Sequence, residues 1–227
     1  DYKEKSSRWG DIFEEKLVDA YIWSFTRDLP APLAFQGFEK TIPKMDIILH
    51  LDFSGSMSGQ PANLVMQSAI IFLEAIRPLL EHNMVQVSVI GFGTEYTIIK
   101  SPKEEIHFGR FYPYNLGGTM IFTTLDRGLR TISDEFLRDS RKVIFIFTDT
   151  MDSLDDLSTA GTICNQLLKM TKGKLNLFII STNPQVLGNI RKYADKILTI
   201  DSVTELPEIM IKETLINMRK YGFRKLY

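Results

Sequence analysis

The sequence predicts an α/β protein built on a doubly wound, mostly parallel central sheet, with helices on both faces and one short antiparallel edge strand. Three observations carry that reading. Strand-length apolar runs recur at residues 45–51, 143–147 and 175–180. They lack polar alternation, as strands do when both of their faces are covered. Segments with apolar residues at helical spacing separate them, so that strands and helices alternate along the chain.

The elements follow in order. Ile12, Phe13, Leu17, Tyr21 and Phe25 lie at near-helical spacing, with Glu14, Glu15, Lys16 and Asp19 between them, and predict one amphipathic helix. Pro30, Pro32 and Pro43 then punctuate an extended segment. Residues 1–44 are therefore expected to be a helical and extended lead-in, and residues 45–227 the main domain. Residues 45–51 form the first strand. Pro61 suits a first helical turn, and the helix behind it is expected to bury Leu64, Ser68, Ile71, Phe72, Ala75, Ile76 and Leu79. Residues 85–92 are a second strand, and 95–99 an antiparallel edge strand after Gly93-Thr94. A helix over 119–137 carries Ile121, Leu125 and Leu129 along one stripe. Strand 142–148, helix 155–170, strand 175–181, helix 184–193, strand 196–200 and helix 203–220 complete the alternation. No internal repeat or low-complexity segment interrupts it.

Composition narrows the class of function. The chain has 227 residues, 44% hydrophobic and 24% charged, which suits an ordinary globular domain able to bury a core without staples. A formal net charge of -1 gives no general attraction to nucleic acid or anionic lipid. No apolar run approaches the roughly 20 residues of a membrane span. Residues 1–5 lack the apolar core of a signal peptide, and the single Cys164 cannot form an internal disulfide. Both lean the expectation toward a cytoplasmic location.

The chemistry concentrates in the stretch Asp52-Phe53-Ser54-Gly55-Ser56-Met57, directly after the first strand. One carboxylate and two hydroxyls alternate along this loop. Three hard oxygen donors on one side of a loop suit a small hard cation such as Mg²⁺ or Mn²⁺. Gly117-Gly118-Thr119 and Thr148-Asp149 offer more oxygen at similar topological places. Open α/β sheets bind ligands beyond the carboxyl ends of their strands, at a switch in strand order, and that is where this loop and Asp149 are expected. The plainer readings are a helix-capping turn at 52–56 and a merely flexible turn at Gly117-Gly118.

The combination of Asp52, Ser54, Ser56, Thr119 and Asp149 resembles the metal-ion-dependent adhesion site of von Willebrand factor type A domains. The resemblance covers residues 45 to about 202 and includes the order of the strands. It implies a Rossmann-like fold and a divalent cation, with Ser54, Ser56 and Thr119 as hydroxyl ligands. Asp52 and Asp149 would then supply charge, orient waters and hold the hydroxyls. It also implies a docking module, with no enzymatic role, whose cation takes a carboxylate from an Asp or Glu of a partner protein. Many members continue Thr-Asp-Gly, whereas here Thr148-Asp149 continues to Thr150-Met151-Asp152. Loss of that Gly changes the backbone freedom of the loop, and Asp152 adds a carboxylate nearby in sequence.

Type A domains work both in extracellular adhesion and in intracellular complexes coupled to ring-shaped AAA+ ATPases. The lone Cys and the composition of the first residues favour the intracellular, ATPase-linked group as the expectation, with an extracellular ligand-binding domain as the alternative. A metal-dependent hydrolase is the third reading. It is opposed by Ser54 at the place where haloacid-dehalogenase-like phosphatases carry a second Asp, and by the lack of a phosphate-binding Gly-rich loop ending in Lys-Ser/Thr. His50 reads as a hydrogen-bonded core residue and Cys164 as core. His82 and His107 lack zinc-ligand spacing. The basic end around Arg219, Lys220, Arg224 and Lys225 reads as a solvated helix terminus. Phe53 and Met57 either pack beneath the site or border it.

Overall fold

In the computed structural model, the described residues are 44–137, 139–149, 154–183 and 191–222. The lead-in helix at residues 12–25, the proline-rich segment, Asp152 and most of the helix expected at 184–193 lie outside them. The chain divides into two compact units. One is Lys44–Lys212; the other is Asp1–Pro43 with Glu213–Tyr227.

Within the larger unit the order is β1 (Met45–Asp52), α1 (Gln60–Ala75), α2 (Arg77–Glu81), β2 (Val85–Phe92), β3 (Tyr96–Lys100), α3 (Ile121–Ile132), β4 (Arg141–Phe147), α4 (Leu154–Met170), β5 (Leu175–Ser181) and β6 (Lys196–Thr199), followed by the start of α5 (Leu206–Gly222). The six strands pair in the order β3-β2-β1-β4-β5-β6. All pairings are parallel except β2 with β3. This is the doubly wound sheet with one antiparallel edge that the alternation predicts. The chain winds from β1 outward to β2 and β3, then returns to β4 on the other side of β1. The switch point is therefore between β1 and β4.

Every residue of β1 is buried, which explains why it is mostly apolar on both faces, with Asp46, His50 and Asp52 as its polar members. Its alternate side chains serve two cores. Ile48, Ile90, Ile144, Ile146 and Ile179 pack with Ile121, Leu125, Leu129 and Ile132 of α3 and Leu167 of α4. Phe145 points the other way and meets Phe72 of α1 edge-on at 6.3 Å. Each such fully buried side chain contributes roughly 1.5–3 kcal/mol.

Two details differ from the sequence expectation. The buried face of α1 is Ala62, Val65, Met66, Ser68, Ala69, Phe72 and Leu73, while Ile71 is 46% exposed and Leu64 half-buried. The face that wins combines two alanines, which allow close approach to the sheet, with large side chains at helical spacing. The helix expected at 119–137 is regular only from Ile121 to Ile132 and ends in a 3-10 turn at Ser133–Glu135. Ser and Asp there compete with the helical backbone for hydrogen bonds. No helix among the described residues is long and apolar enough to cross a membrane.

Candidate metal centre

Strand pairing assembles the site. β1 and β4 are parallel, with Leu51 opposite Phe147. Asp52, the last residue of β1, and Thr148-Asp149, directly after β4, therefore lie side by side at the switch point. Thr148 Oγ1 donates to Asp52 Oδ2 at 2.6 Å. Ser54 N–H donates to Asp52 Oδ1 at 2.8 Å, closing a small turn. Ser54 Oγ lies 3.1 Å from Ser56 Oγ, and Ser56 Oγ donates to Asp149 Oδ1 at 3.0 Å. Hydrogen bonds thus link Asp149, Ser56 and Ser54, while Asp52 holds the backbone of Ser54.

The local backbone explains why the serines face each other. Ser54 precedes a 3-10 turn at Gly55–Met57 but makes no side-chain cap bond to it. Ser54 therefore does not cap this turn with its side chain, although Asp52 accepts a backbone N–H as the turn reading expects. Phe53 and Met57 are both buried, at 0% and 2% exposure. They anchor the loop from beneath, which settles their role.

The third segment is tied to the first through the main chain. Leu116 N–H donates to Phe53 O at 3.0 Å, and Gly55 N–H to Gly117 O at 2.7 Å. Gly118 N–H donates to Thr94 Oγ1 at 2.7 Å, and Met120 N–H to Gly93 O at 3.0 Å. Thr119 sits half-buried between these last two anchors. Gly117 has φ +83°, a conformation that L side chains rarely adopt. At Gly93 a Cβ would lie 2.4 Å from Leu116 O. Glycine at both places lets the loop lie flat against its neighbours.

Thr148 and Thr94 are supporting residues whose hydrogen-bond partners the sequence does not show. Thr148 was visible as the residue before Asp149, but its partner depends on the register of β4 against β1. Thr94 carries no sequence signal of its own. His50 is fully buried, with Nε2 3.1 Å from Ile121 O and 3.2 Å from Thr124 Oγ1, and its ring stacks on Phe92 at 4.2 Å. Burial pushes the Cys164 thiol up to about 11, so it is a poor nucleophile at neutral pH.

The electrostatics of the loop are specific. Burial raises the Asp52 carboxyl above its ordinary value, against the hydrogen bonds from Thr148 and Ser54, and the nearby Asp149 pushes in the same upward direction. Among the described residues no Lys or Arg pairs with either acid. Asp52 is wholly buried, Ser54 nearly so, and Ser56 is exposed. Two carboxylates and two hydroxyls, graded from the core to the surface and lacking a cationic side chain, form a donor set that fits a hard divalent ion reached from solvent.

The chain matches the von Willebrand factor type A domain over residues 46–210. Solved structures share the fold. The PilB minor pilin of Streptococcus sanguinis is 12% identical with a TM-score of 0.60, over 82% of this chain and 64% of that one. The SpaC pilus adhesin of Lactobacillus rhamnosus GG is 15% identical with a TM-score of 0.60, over 81% and 31%. The mussel byssus proximal thread matrix protein 1, in a form with a zinc-occupied metal-ion-dependent adhesion site, is 19% identical with a TM-score of 0.58, over 78% and 46%. The chain spans less than two thirds of each of these neighbours. No curated protein matches the sequence.

These neighbours correct the expectation of a cytoplasmic location, because a pilin, a pilus adhesin and a byssal thread protein are named for structures outside the cell. The premise was weak on physical grounds: one cysteine forbids an internal disulfide in any compartment. The expected link to an AAA+ ATPase likewise gains no support from them. With a match over most of its length and the six-stranded fold in place, the chain belongs to the von Willebrand factor type A domain family.

Proposed function

We propose that residues 45–227, behind a lead-in at 1–44, act as an extracellular or cell-surface docking module. Asp52, Ser54, Ser56, Thr119 and Asp149 would hold a divalent cation, Mg²⁺ or Mn²⁺. When bound, that cation offers a coordination position to an Asp or Glu carboxylate of a partner protein. The observation that carries this reading is the hydrogen-bonded run from Asp149 through Ser56 to Ser54, beside a buried Asp52 whose donors among the described residues are all neutral.

The chain's own residues have distinct parts in the proposal. Asp52 fixes the backbone of Ser54, and Thr148 fixes Asp52. Ser56 presents its hydroxyl to solvent. The glycines of the third segment would let Thr119 come alongside. Two carboxylates balance a divalent charge, and the neutral hydroxyls add none, so an incoming carboxylate replaces a water without meeting excess negative charge. The pilin and adhesin neighbours support a surface role. The reading is of a binding domain, and the match to the family supports it over the hydrolase alternative.

The test is retention of the purified domain on an immobilised library of Asp-bearing peptides, in Mg²⁺ and in chelator, beside a Thr119→Ala variant. Retention of the unaltered domain in Mg²⁺ alone is expected. Equal retention in chelator, or by Thr119→Ala, overturns the reading.

A further inference from the structure

The loop from β3 to α3 carries Phe108-Gly109-Arg110-Phe111-Tyr112-Pro113-Tyr114 directly before the segment that enters the candidate metal centre. Tyr112 is 53% exposed and Phe108 48% exposed. These are the only aromatic rings among the large exposed apolar side chains of the described residues. Tyr112 lies against Tyr114, with ring centroids 4.4 Å apart. Tyr114 in turn meets Phe53 edge-on at 5.9 Å, and Phe53 stands between Asp52 and Ser54. Through Phe53 the aromatic tract therefore joins the buried side of the loop that would hold the cation.

Its geometry is held, not loose. Tyr114 Oη donates to Arg110 O at 3.2 Å, and 3-10 geometry at Phe108–Arg110 fixes the turn. Arg110, the only charged residue between Phe108 and Tyr114, pairs with Glu104 at 2.6 Å. The tract thus presents uncharged exposed rings on the loop that leads into the candidate centre, which with the proposed cation bound would take one carboxylate. Exposed aromatic rings held on a fixed backbone lose little freedom on contact and are the commonest anchors of protein interfaces.

We infer that this tract is the specificity surface of the docking site. The partner segment it fits is an extended peptide whose carboxylate enters the centre and whose neighbouring side chain, aliphatic or aromatic, lies over Tyr112. The inference rests on the proposed carboxylate docking and adds the chemistry of the residue beside the acid.

The test uses defined synthetic peptides, each with one central Asp in an otherwise Gly-Ser background. One neighbour is varied among Leu, Phe, Ser and Lys at each position on either side. Binding is measured in Mg²⁺ and in chelator for the unaltered domain, Tyr112→Ala and Tyr112→Phe. At one position, Leu or Phe is expected to bind about 10-fold more tightly than Ser or Lys, which corresponds to about 1.4 kcal/mol. Tyr112→Ala should reduce that ratio to within about 2-fold, and Tyr112→Phe should keep it. Mg²⁺-dependent binding with no preference at any position overturns this inference and leaves carboxylate docking standing. A preference that survives Tyr112→Ala, or that is indifferent to Mg²⁺ and to replacement of the Asp, also overturns it. Absence of Mg²⁺-dependent binding by every peptide overturns the docking reading itself.

Discussion

The two ends of β1 each bury a carboxylate, and they balance its charge in different ways. At the start of the strand, Asp46 is 1% exposed. Lys142 Nζ lies 2.5 Å from its Oδ2; Ser140 Oγ donates to the same oxygen, and Leu137 N–H donates to Oδ1 at 3.3 Å. The lysine also lies over the Phe136 ring at 4.6 Å. At the end of the strand, Asp52 is fully buried and, among the described residues, receives neutral donors only, Ser54 N–H and Thr148 Oγ1, with Asp149 close by. One acid has its counter-charge built into the chain. The other stands beside a second acid and, on the proposed reading, would take its counter-charge from a cation in solution. A buried carboxylate alone therefore identifies nothing; what distinguishes a structural acid from a ligand is whether the fold supplies the opposite charge.

The largest effect tests the first half of that contrast. Lys142→Met leaves Asp46 buried and uncompensated, and should destabilise the domain by about 3–5 kcal/mol in urea unfolding, with or without Mg²⁺. The double variant Asp46→Leu with Lys142→Met should recover most of the loss, because replacing both partners by apolar groups removes the uncompensated charge. A double variant as unstable as the single one would break the assignment of Asp46 and Lys142 as a self-sufficient pair.

The next effect tests the other end. Mg²⁺ at about 100 times its dissociation constant should stabilise the unaltered domain by about 2.7 kcal/mol, read as a rise in melting temperature. Asp52→Asn should lose most of that rise while remaining folded without metal, since it removes a buried charge that neutral donors only partly offset. An equal response to Mg²⁺ in Asp52→Asn would mean that the two ends of β1 do not differ as described.

Two smaller effects sharpen the comparison. Thr148→Val removes the hydroxyl that holds Asp52 Oδ2 and should lower stability by about 1–2 kcal/mol, with a further weakening of Mg²⁺ binding measured by calorimetry. Stability loss without that weakening would make Thr148 a packing residue only. Gly117→Ala places a Cβ 3.0 Å from Thr94 Oγ1 at a φ of +83°, and should lower stability by about 1 kcal/mol. Its effect on Mg²⁺ affinity should be smaller than that of Asp52→Asn, because it disturbs the loop behind Thr119 without removing an oxygen.

Much of the site was legible because its residues are close in sequence and chemically distinctive. Asp52, Ser54 and Ser56 alternate at one strand end, and Asp149 follows another, which is the part of the cluster that hydrogen bonds join. Thr148 was less legible, because its role arises only when β4 lies beside β1 in one register. The buried face of α1 was misread at Leu64 and Ile71, since a helix apolar on several sides can turn either stripe to the sheet. The pair of Asp46 and Lys142 was not read at all; nothing in a charge at the start of an apolar strand says which cation will reach it from 96 residues away.

The sequence by itself determined the alternation of strands and helices, the buried character of β1, β4 and β5, and the placing of oxygen donors after strand ends. These are local properties, fixed by hydrophobic period, loop composition and the hydrogen-bonding capacity of each side chain. Only the tertiary structure decided which carboxylate meets a lysine and which meets another carboxylate. It also set the aromatic tract at 108–114 against the loop at 52–56. Those outcomes depend on strand order and register, which bring together side chains distant in sequence. The free energy of a buried charge depends on its nearest neighbours in space, whatever their place in the chain.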